Sequence, residues 1–423
     1  MPAALRLLAL SALLSLAACG SNDDSTPPAT EPPPVAKACA PYEGEPLASL
    51  RPYEGLMHMH SSYSDGVITD VPGDYFAKAK SLGYSFVGSS EHSDTLNTGL
   101  FLSVGDQCFA SLEGLLTCLT PTADELVKWQ NTAEQAQAAS DENFLAIRGF
   151  EWTSDRFGHI NVYFSKNFSN AKFDGGYLFT MDTFWGWFTR DADTPALNGG
   201  SLSGEVAMGG GSDALAHFNH PHDKCFDTES AECDWNDFTL IPEAVERMFG
   251  IELYNTDHRN DRYLPYYAKA LDKGWRLAPI GSEDNHWGTY GAEEHPKTVT
   301  LATDLGEAAI KAAWLARRTY ALAPGQHLRV DFQAEGHPMG SQLSCDLGSR
   351  VVLQTQVRQK DGSPYNGTLR LFGAGGQELA STDSGHGRLE VPVTEGTHWY
   401  FVRVDGADGL SAAYLAPIWI SAR

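Results

Sequence analysis

Short apolar runs of strand-like composition recur along the first three quarters of the chain, and ligand-capable polar residues follow where each run ends. Gly55-Leu56-Met57 leads into His58-Met59-His60, Tyr84-Ser85-Phe86-Val87-Gly88 into Glu91-His92, and the run from Phe144 to Phe150 into Glu151. Further on, Ala214-Leu215-Ala216 leads through His217 to Asn219-His220-Pro221, Gly250-Ile251-Glu252-Leu253 to Tyr254-Asn255, and Leu277-Ala278-Pro279-Ile280 to Asp284-Asn285-His286. Helix signals lie between these runs. Residues 74–82 stop at Gly83, Thr122-Ala123-Asp124-Glu125 has capping-box spacing before a helix reaching about Ala139, residues 264–273 stop at Gly274, and residues 307–317 close the series. Strands alternating with helices predict a parallel sheet and an α/β fold.

From about Gln326 the period shortens. Residues 328–332, 351–357, 368–371, 388–391 and 399–404 are short, largely alternating runs divided by Gly, Asp and Pro, the pattern of a small all-β immunoglobulin-like sandwich. Residues 95–121 and 165–213 fit neither pattern and read as long insertions, of the kind that serve as lids or walls. The expected divisions are therefore 1–18, 19–47, 48–322 and 323–423.

The first 18 residues have the layout of a secretory signal peptide, with Arg6 early and an apolar run from Leu7 to Leu16 too short to span a bilayer. Leu16-Ala17-Ala18-Cys19 resembles a bacterial lipobox, which makes Cys19 the lipidated residue; an ordinary signal peptide cleaved nearby is the other reading. The Pro-rich stretch that follows reads as a disordered tether. These features predict export and lipid anchoring to the bacterial cell envelope, in the periplasm or at the outer membrane. Six cysteines besides Cys19 suit an oxidising compartment. Close spacing suggests the pairs Cys108–Cys118 and Cys225–Cys233, leaving Cys39 and Cys345 to join each other.

A formal charge of −24 argues against nucleic acid as a partner. The partner expected is a small-molecule substrate, with the membrane reached only through the anchor at Cys19.

Residues two apart on a strand share a face, so His58 and His60 can grip one ion. Mixed imidazole and carboxylate ligation suits zinc, manganese or iron. A lone His-x-His also arises as an ordinary strand pair; the weight lies in the ordered series His58, His60, Asp65, His92, Glu151, His159, His220, Asp284 and His286.

That series resembles the PHP (polymerase and histidinol phosphatase) superfamily of metal-dependent hydrolases, whose signature opens with His-x-His and Ser-Asp-Gly and closes with Gly-Ser-Asp-x-His. Here the closing motif is Gly281-Ser282-Glu283-Asp284-Asn285-His286, one residue longer before the Asp, and the usual Thr-Asp-His is Ser90-Glu91-His92. Gly149-Phe150-Glu151-Trp152-Thr153-Ser154 and the stretch from His159 to Phe164 look most like the CehA/McbA-type and DUF3604-type branches.

The resemblance implies a distorted seven-stranded β/α barrel over residues 48–322 holding two or three divalent ions (Zn, Mn or Fe). It places His58, His60, Glu151 and Asp284 on the first, Glu151 bridging to a second held by His159 and His220, and Asp65, His92 and His286 on the third. Glu151 is thus also a catalytic residue. The implied reaction is hydrolysis of a phosphomonoester or phosphodiester by hydroxide formed at the metals. Carboxylic or carbamate ester hydrolysis of the CehA type is the alternative within enzymes. A cell-surface binding lipoprotein with a structural metal site is the alternative outside them.

Charged residues after the strands are candidates for substrate contact: His222 and Arg259 as preferred catalytic groups, with Arg156, Lys224, His258 and Arg262 in substrate binding. His217 reads as packed in the sheet rather than as a ligand. Trp152, Trp185, Trp187 and Trp287 are candidates for pocket walls or core filling.

Overall fold

The structure, a computed structural model, describes residues 38–96, 127–172, 180–195, 209–256 and 259–423. Cys19, the signal peptide, Cys108, Cys118 and His258 lie outside the described residues. Among the described residues, no helix is long and apolar enough to cross a membrane.

The chain forms a mixed α/β architecture with many strands and few helices. Strands β1 (Arg51–Leu56), β2 (Phe86–Gly88) and β4 (Leu145–Ile147) pair in parallel, in the order β1-β2-β4. A second row runs β3-β5-β6-β7-β8-β9, where β3 is Glu91–His92, β5 Gly149–Trp152, β6 Ile160–Tyr163, β7 Leu215–Phe218, β8 Met248–Asn255 and β9 Ala278–Ser282. Short breaks after Gly88 and Ile147 carry the chain from one row into the other. At the far edge, Met59 beyond β1 bridges Asn285 beyond β9, with the His60 N–H donating to the Asn285 carbonyl at 3.0 Å.

The expected helices sit at Pro72–Ser81, Val127–Ala139, Leu264–Asp272 and Glu307–Leu315. The first begins at a proline whose missing N–H costs nothing there. Asp74 accepts from the Val71 N–H at 2.8 Å, and the chain leaves through Gly83 at φ +86°. Every residue of β8 is buried, as in a sheet covered on both faces.

The sheet is not wholly parallel. β5 and β6 are antiparallel, and so are β6 and β7. The connection from Trp152 to Ile160 is too short for a crossover, which takes about a dozen residues, so the chain can only turn back. β1 also pairs antiparallel with β10 (Lys297–Ala302). Within the region read as a long insertion, the helix Met181–Thr189 drives Phe184, Trp185, Trp187 and Phe188 into the main core beside Phe150 and Trp152. This described portion is core rather than lid.

Beyond β11 (Thr319–Leu322) the alternation expected of an all-β region is visible. Val351, Leu353, Thr355 and Val357 are the buried positions of β15 (Arg350–Gln359). The three apolar ones, Val351, Leu353 and Val357, share one core with Phe332, Leu369, Leu371, Val402, Val404 and Ile420. Each such side chain contributes about 1.5–3 kcal/mol on full burial. This region is not set off from the rest: β20 (Ser411–Leu415) pairs with β11, and Trp399, Phe401, Tyr414 and Trp419 join the first core.

Cys39–Cys345, expected as the remaining pair, and Cys225–Cys233, expected from close spacing, are both disulfide-bonded. The first closes 306 residues of sequence. Replacing both Cys39 and Cys345 by Ser is therefore expected to destabilise the protein by about 2–4 kcal/mol in non-reducing denaturant titration, mostly by freeing the unfolded chain. An unchanged midpoint would contradict that.

Candidate metal centre

The strand alternation of β1 continues past its end. Met57 and Met59 are buried in apolar clusters, while His58 and His60 turn to the other face, their ring centroids 5.0 Å apart. Gly88 and Gly149 leave room for the Tyr163 ring, since a Cβ at either would lie 2.4 or 2.5 Å from it, and the Tyr163 hydroxyl bonds the Met57 carbonyl. Ser90 Oγ accepts from the Met59 N–H at 2.7 Å and donates to its carbonyl at 2.9 Å. The His-x-His segment is thus held from both sides.

Onto this segment converge the seven other residues of the series. Glu151 Oε1 lies 3.2 Å from His58 Nε2, 3.0 Å from His159 Nδ1 and 3.5 Å from His220 Nε2, and its Oε2 lies 2.7 Å from His92 Nδ1. Asp284 Oδ1 stands 3.4 Å from His58 Nε2 and 3.2 Å from His60 Nε2. Asp65 Oδ1 stands 3.1 Å from His92 Nε2 and 3.0 Å from His286 Nε2. The potential ligand atoms fall into overlapping groups: His60, Asp65, His92 and His286; His58, His60 and Glu151; His58, His220 and Asp284; and Glu151, His159 and His220.

His220 and Asp284 have φ of +22° and +47°, a region non-glycine residues rarely adopt, and such strain concentrates at functional sites.

The residues fit divalent cations. His58 Nε2, His60 Nε2 and Asp65 Oδ1 are buried polar atoms without a hydrogen-bond partner, and all three point into the cluster. An orphaned buried polar atom is costly, and a cation satisfies several at once. Electrostatics agree. Burial alone would raise the Glu151 and Asp284 carboxyls, but the surrounding imidazoles, His159, His58 and His92 for Glu151 and His58 and His60 for Asp284, hold both well below the usual carboxylate range. His60 is pushed down to about 3 by burial and by His286 and His92, which keeps it a neutral donor of a lone pair.

Around the ligands lies a supporting layer that the motifs do not reveal. Glu252, fully buried on β8, accepts from His58 Nδ1 at 2.8 Å and from the His220 N–H at 2.8 Å. Glu91 accepts from Ser61 Oγ at 2.6 Å and Ser64 Oγ at 2.5 Å, and so shapes the turn that carries Asp65. Thr153 Oγ1 lies 2.8 Å from His92 Nδ1, and Asn219 donates to Glu151 Oε1 at 2.8 Å. Asp155 Oδ1 lies 3.2 Å from His159 Nε2, while its Oδ2 takes Lys172 Nζ at 2.5 Å. Glu252 stands inside a predicted strand, where a carboxylate between apolar neighbours is the available signal, while Glu91 belongs to the Ser90-Glu91-His92 motif but is not itself a predicted ligand.

The cluster opens into a cavity of about 190 Å³ whose lining includes Asp65, His92, Glu151, His159, His220, Asp284 and His286, together with Asp155, Lys172 and Lys224. Of the candidate substrate groups, Lys224 is there. The others that are described lie elsewhere. Arg156 makes a two-pronged pair with Glu232 at 2.7 and 2.6 Å. Arg259 is drawn to the C-terminal strands, donating to Asp408 at 2.9 Å and to the Ser411 carbonyl at 3.2 Å. Arg262 bonds Asp223, and His222 lies against Asp234 at 3.2 Å and stacks on Tyr266. Lys172 is the cation the sequence does not single out. His217 is buried, 3.3 Å from the Tyr163 hydroxyl, and burial takes it down to about 4. Trp152, Trp185 and Trp187 fill the core.

No model of a known protein family matches the chain, and no curated protein matches it in sequence. Among solved structures it is similar to a two-domain protein from Bacteroides vulgatus ATCC 8482 described as containing a predicted PHP-like metal-dependent phosphoesterase. That likeness has 18% identity over 89% of this chain and 99% of that one, with a TM-score of 0.45. It is also similar to PsfC from Pseudomonas syringae PB-5123, at 12% identity over 64% of this chain and 91% of that one, with a TM-score of 0.36. A third is Endonuclease Q in complex with a 27-mer duplex substrate bearing an abasic lesion, at 13% identity over 62% of this chain and 56% of that one, with a TM-score of 0.30. All three likenesses are distant.

Proposed function

We propose that the chain is a metal-dependent hydrolase of the PHP type that cleaves a phosphoester, and that its two strand rows make up the distorted seven-stranded barrel of that superfamily, followed by an immunoglobulin-like sandwich. The observation that carries this reading is the convergence of five strand ends on one cleft where three buried candidate ligand atoms make no hydrogen bond among the described residues. A structural site needs about four ligands and is closed. Nine residues around an open cleft suit several ions and a substrate.

His58, His60, Glu151 and Asp284 would hold one cation, Glu151 with His159 and His220 a second, and Asp65, His92 and His286 a third. When bound, such cations polarise a phosphoryl oxygen and bring the pKa of a water near neutrality. The chain's own groups do the rest. Glu151, fixed by Asn219, sets the register of His58, His92 and His159. Lys224 supplies positive charge at the mouth of a protein whose net charge of −24 would otherwise repel an anionic ester, while Lys172 is paired with Asp155. We further propose an exported lipoprotein anchored through Cys19, acting on a small-molecule ester and not on nucleic acid.

The test is a panel of chromogenic phosphomonoester, phosphodiester and carboxylic ester substrates, run on purified protein with its metal content measured. Phosphoester cleavage is expected to fall to background on chelation and to return with Mn²⁺ or Zn²⁺. Cleavage of carboxylic esters alone would overturn the phosphoester reading, and metal-loaded protein inert on every class would overturn the enzyme reading.

A further inference from the structure

We infer that the cleft rim beside His286 is a binding subsite for a planar aromatic group, so that the substrate is an aryl or similarly flat phosphoester; this rests on the hydrolase reading above. The chain has ten tryptophans. Nine are buried, but Trp287 is 66% exposed, and it directly follows a residue of the ligand cluster. Its ring centroid lies 5.7 Å from that of His286.

The indole stands on a rigid turn. Its N–H backbone donates to Asn285 Oδ1 at 3.0 Å, Asn285 Nδ2 is held by Glu283 at 2.9 Å, and Asn285 is bridged to Met59. Gly288 follows at φ +74° and abuts Val67, since a Cβ there would lie 3.1 Å from Val67 Cγ2. The neighbouring Ile68 is 47% exposed. Two large exposed apolar side chains therefore come from two turns that meet, one carrying Asp65 and the other His286. Lys172, Lys224 and Asp155 line the cleft with the other residues of the site.

Leaving an indole in water forgoes burial that nine others in this chain obtain, and its fixed backbone means the exposure is not a loose loop's accident. A flat ring attached to a phosphate at the cluster would cover that face, and offset stacking on indole favours an aromatic over an aliphatic group of similar size.

The test compares phenylphosphonate with methylphosphonate by calorimetry on zinc-loaded protein, beside KM for an aryl and an alkyl phosphoester. Wild type is expected to bind the phenyl compound about tenfold more tightly; Trp287→Ala equalises the two, and Trp287→Phe restores most of the preference. In turnover, the Ala variant raises KM for the aryl ester about tenfold and leaves the alkyl ester and kcat nearly unchanged. Equal affinity of wild type for both phosphonates, binding of neither, or a preference that survives Trp287→Ala would overturn the inference. A phenyl preference that depends on Trp287 in a protein inert on all phosphoesters would instead overturn the reaction assigned above.

Discussion

Replacing Glu151 by Ala is expected to strip two cations from the centre together and to cut phosphoester hydrolysis by about a thousandfold, near 4 kcal/mol of transition-state stabilisation at 1.4 kcal/mol per decade. Its two oxygens lie within 3.5 Å of four imidazoles, His58, His92, His159 and His220, a closer set than the four at 3.2–3.9 Å around Asp284. Asp65 offers a contrast. Its Oδ1 faces only His60, His92 and His286, and Asp65→Ala is expected to lose one cation. Metal stoichiometry after dialysis, read by mass spectrometry, separates the two variants. Equal losses in both would sink the bridging role of Glu151. Circular dichroism guards against a trivial outcome, because removing a buried carboxylate from among imidazoles also removes the charge that offsets them.

Most of the candidate ligands were legible because they stand at the end of an apolar run, where a strand delivers its side chain to the rim of a sheet, whereas Asp65 sits on a turn and His159 just before β6. What steadies them was not. Glu252 reads as one polar position in Gly250-Ile251-Glu252-Leu253, and only folding brings His58, 194 residues away, to its oxygen. Arg259 follows a strand ending at Asn255 and so reads as a catalytic group, yet a guanidinium goes where acceptors are, and those are Asp408, on a turn between two C-terminal strands, and Ser411 at the start of the second. Lys172 lay in a stretch with no period to place it. Parallel pairing of the strands was anticipated, but the antiparallel β6 was not, since its direction follows from a short connection rather than from hydrophobic alternation. The C-terminal strands were recognised by their period of two, while their pairing with β11 depends on backbone edges that no side-chain pattern records.

Glu252→Gln is expected to weaken metal binding about 10- to 100-fold with only modest loss of fold, although Glu252 lies behind the candidate ligands. An ionised carboxylate only accepts, so His58 must donate from Nδ1 and present Nε2 to the cluster. The other oxygen takes the His220 N–H at 2.8 Å and Asn255 Nδ2 at 2.9 Å. A glutamine amide cannot accept on both sides. Either His58 Nδ1 or the His220 N–H then meets an NH₂ group, and a buried donor left unsatisfied costs about 1–3 kcal/mol. The imidazole is free to turn or to change tautomer, and its lone pair leaves the cation. Chelator-competition titration would show this as lowered affinity at unchanged stoichiometry under saturating metal. The opposite result, unaltered affinity with a lowered thermal midpoint, would mean that Glu252 holds the sheet together and has no part in aiming His58.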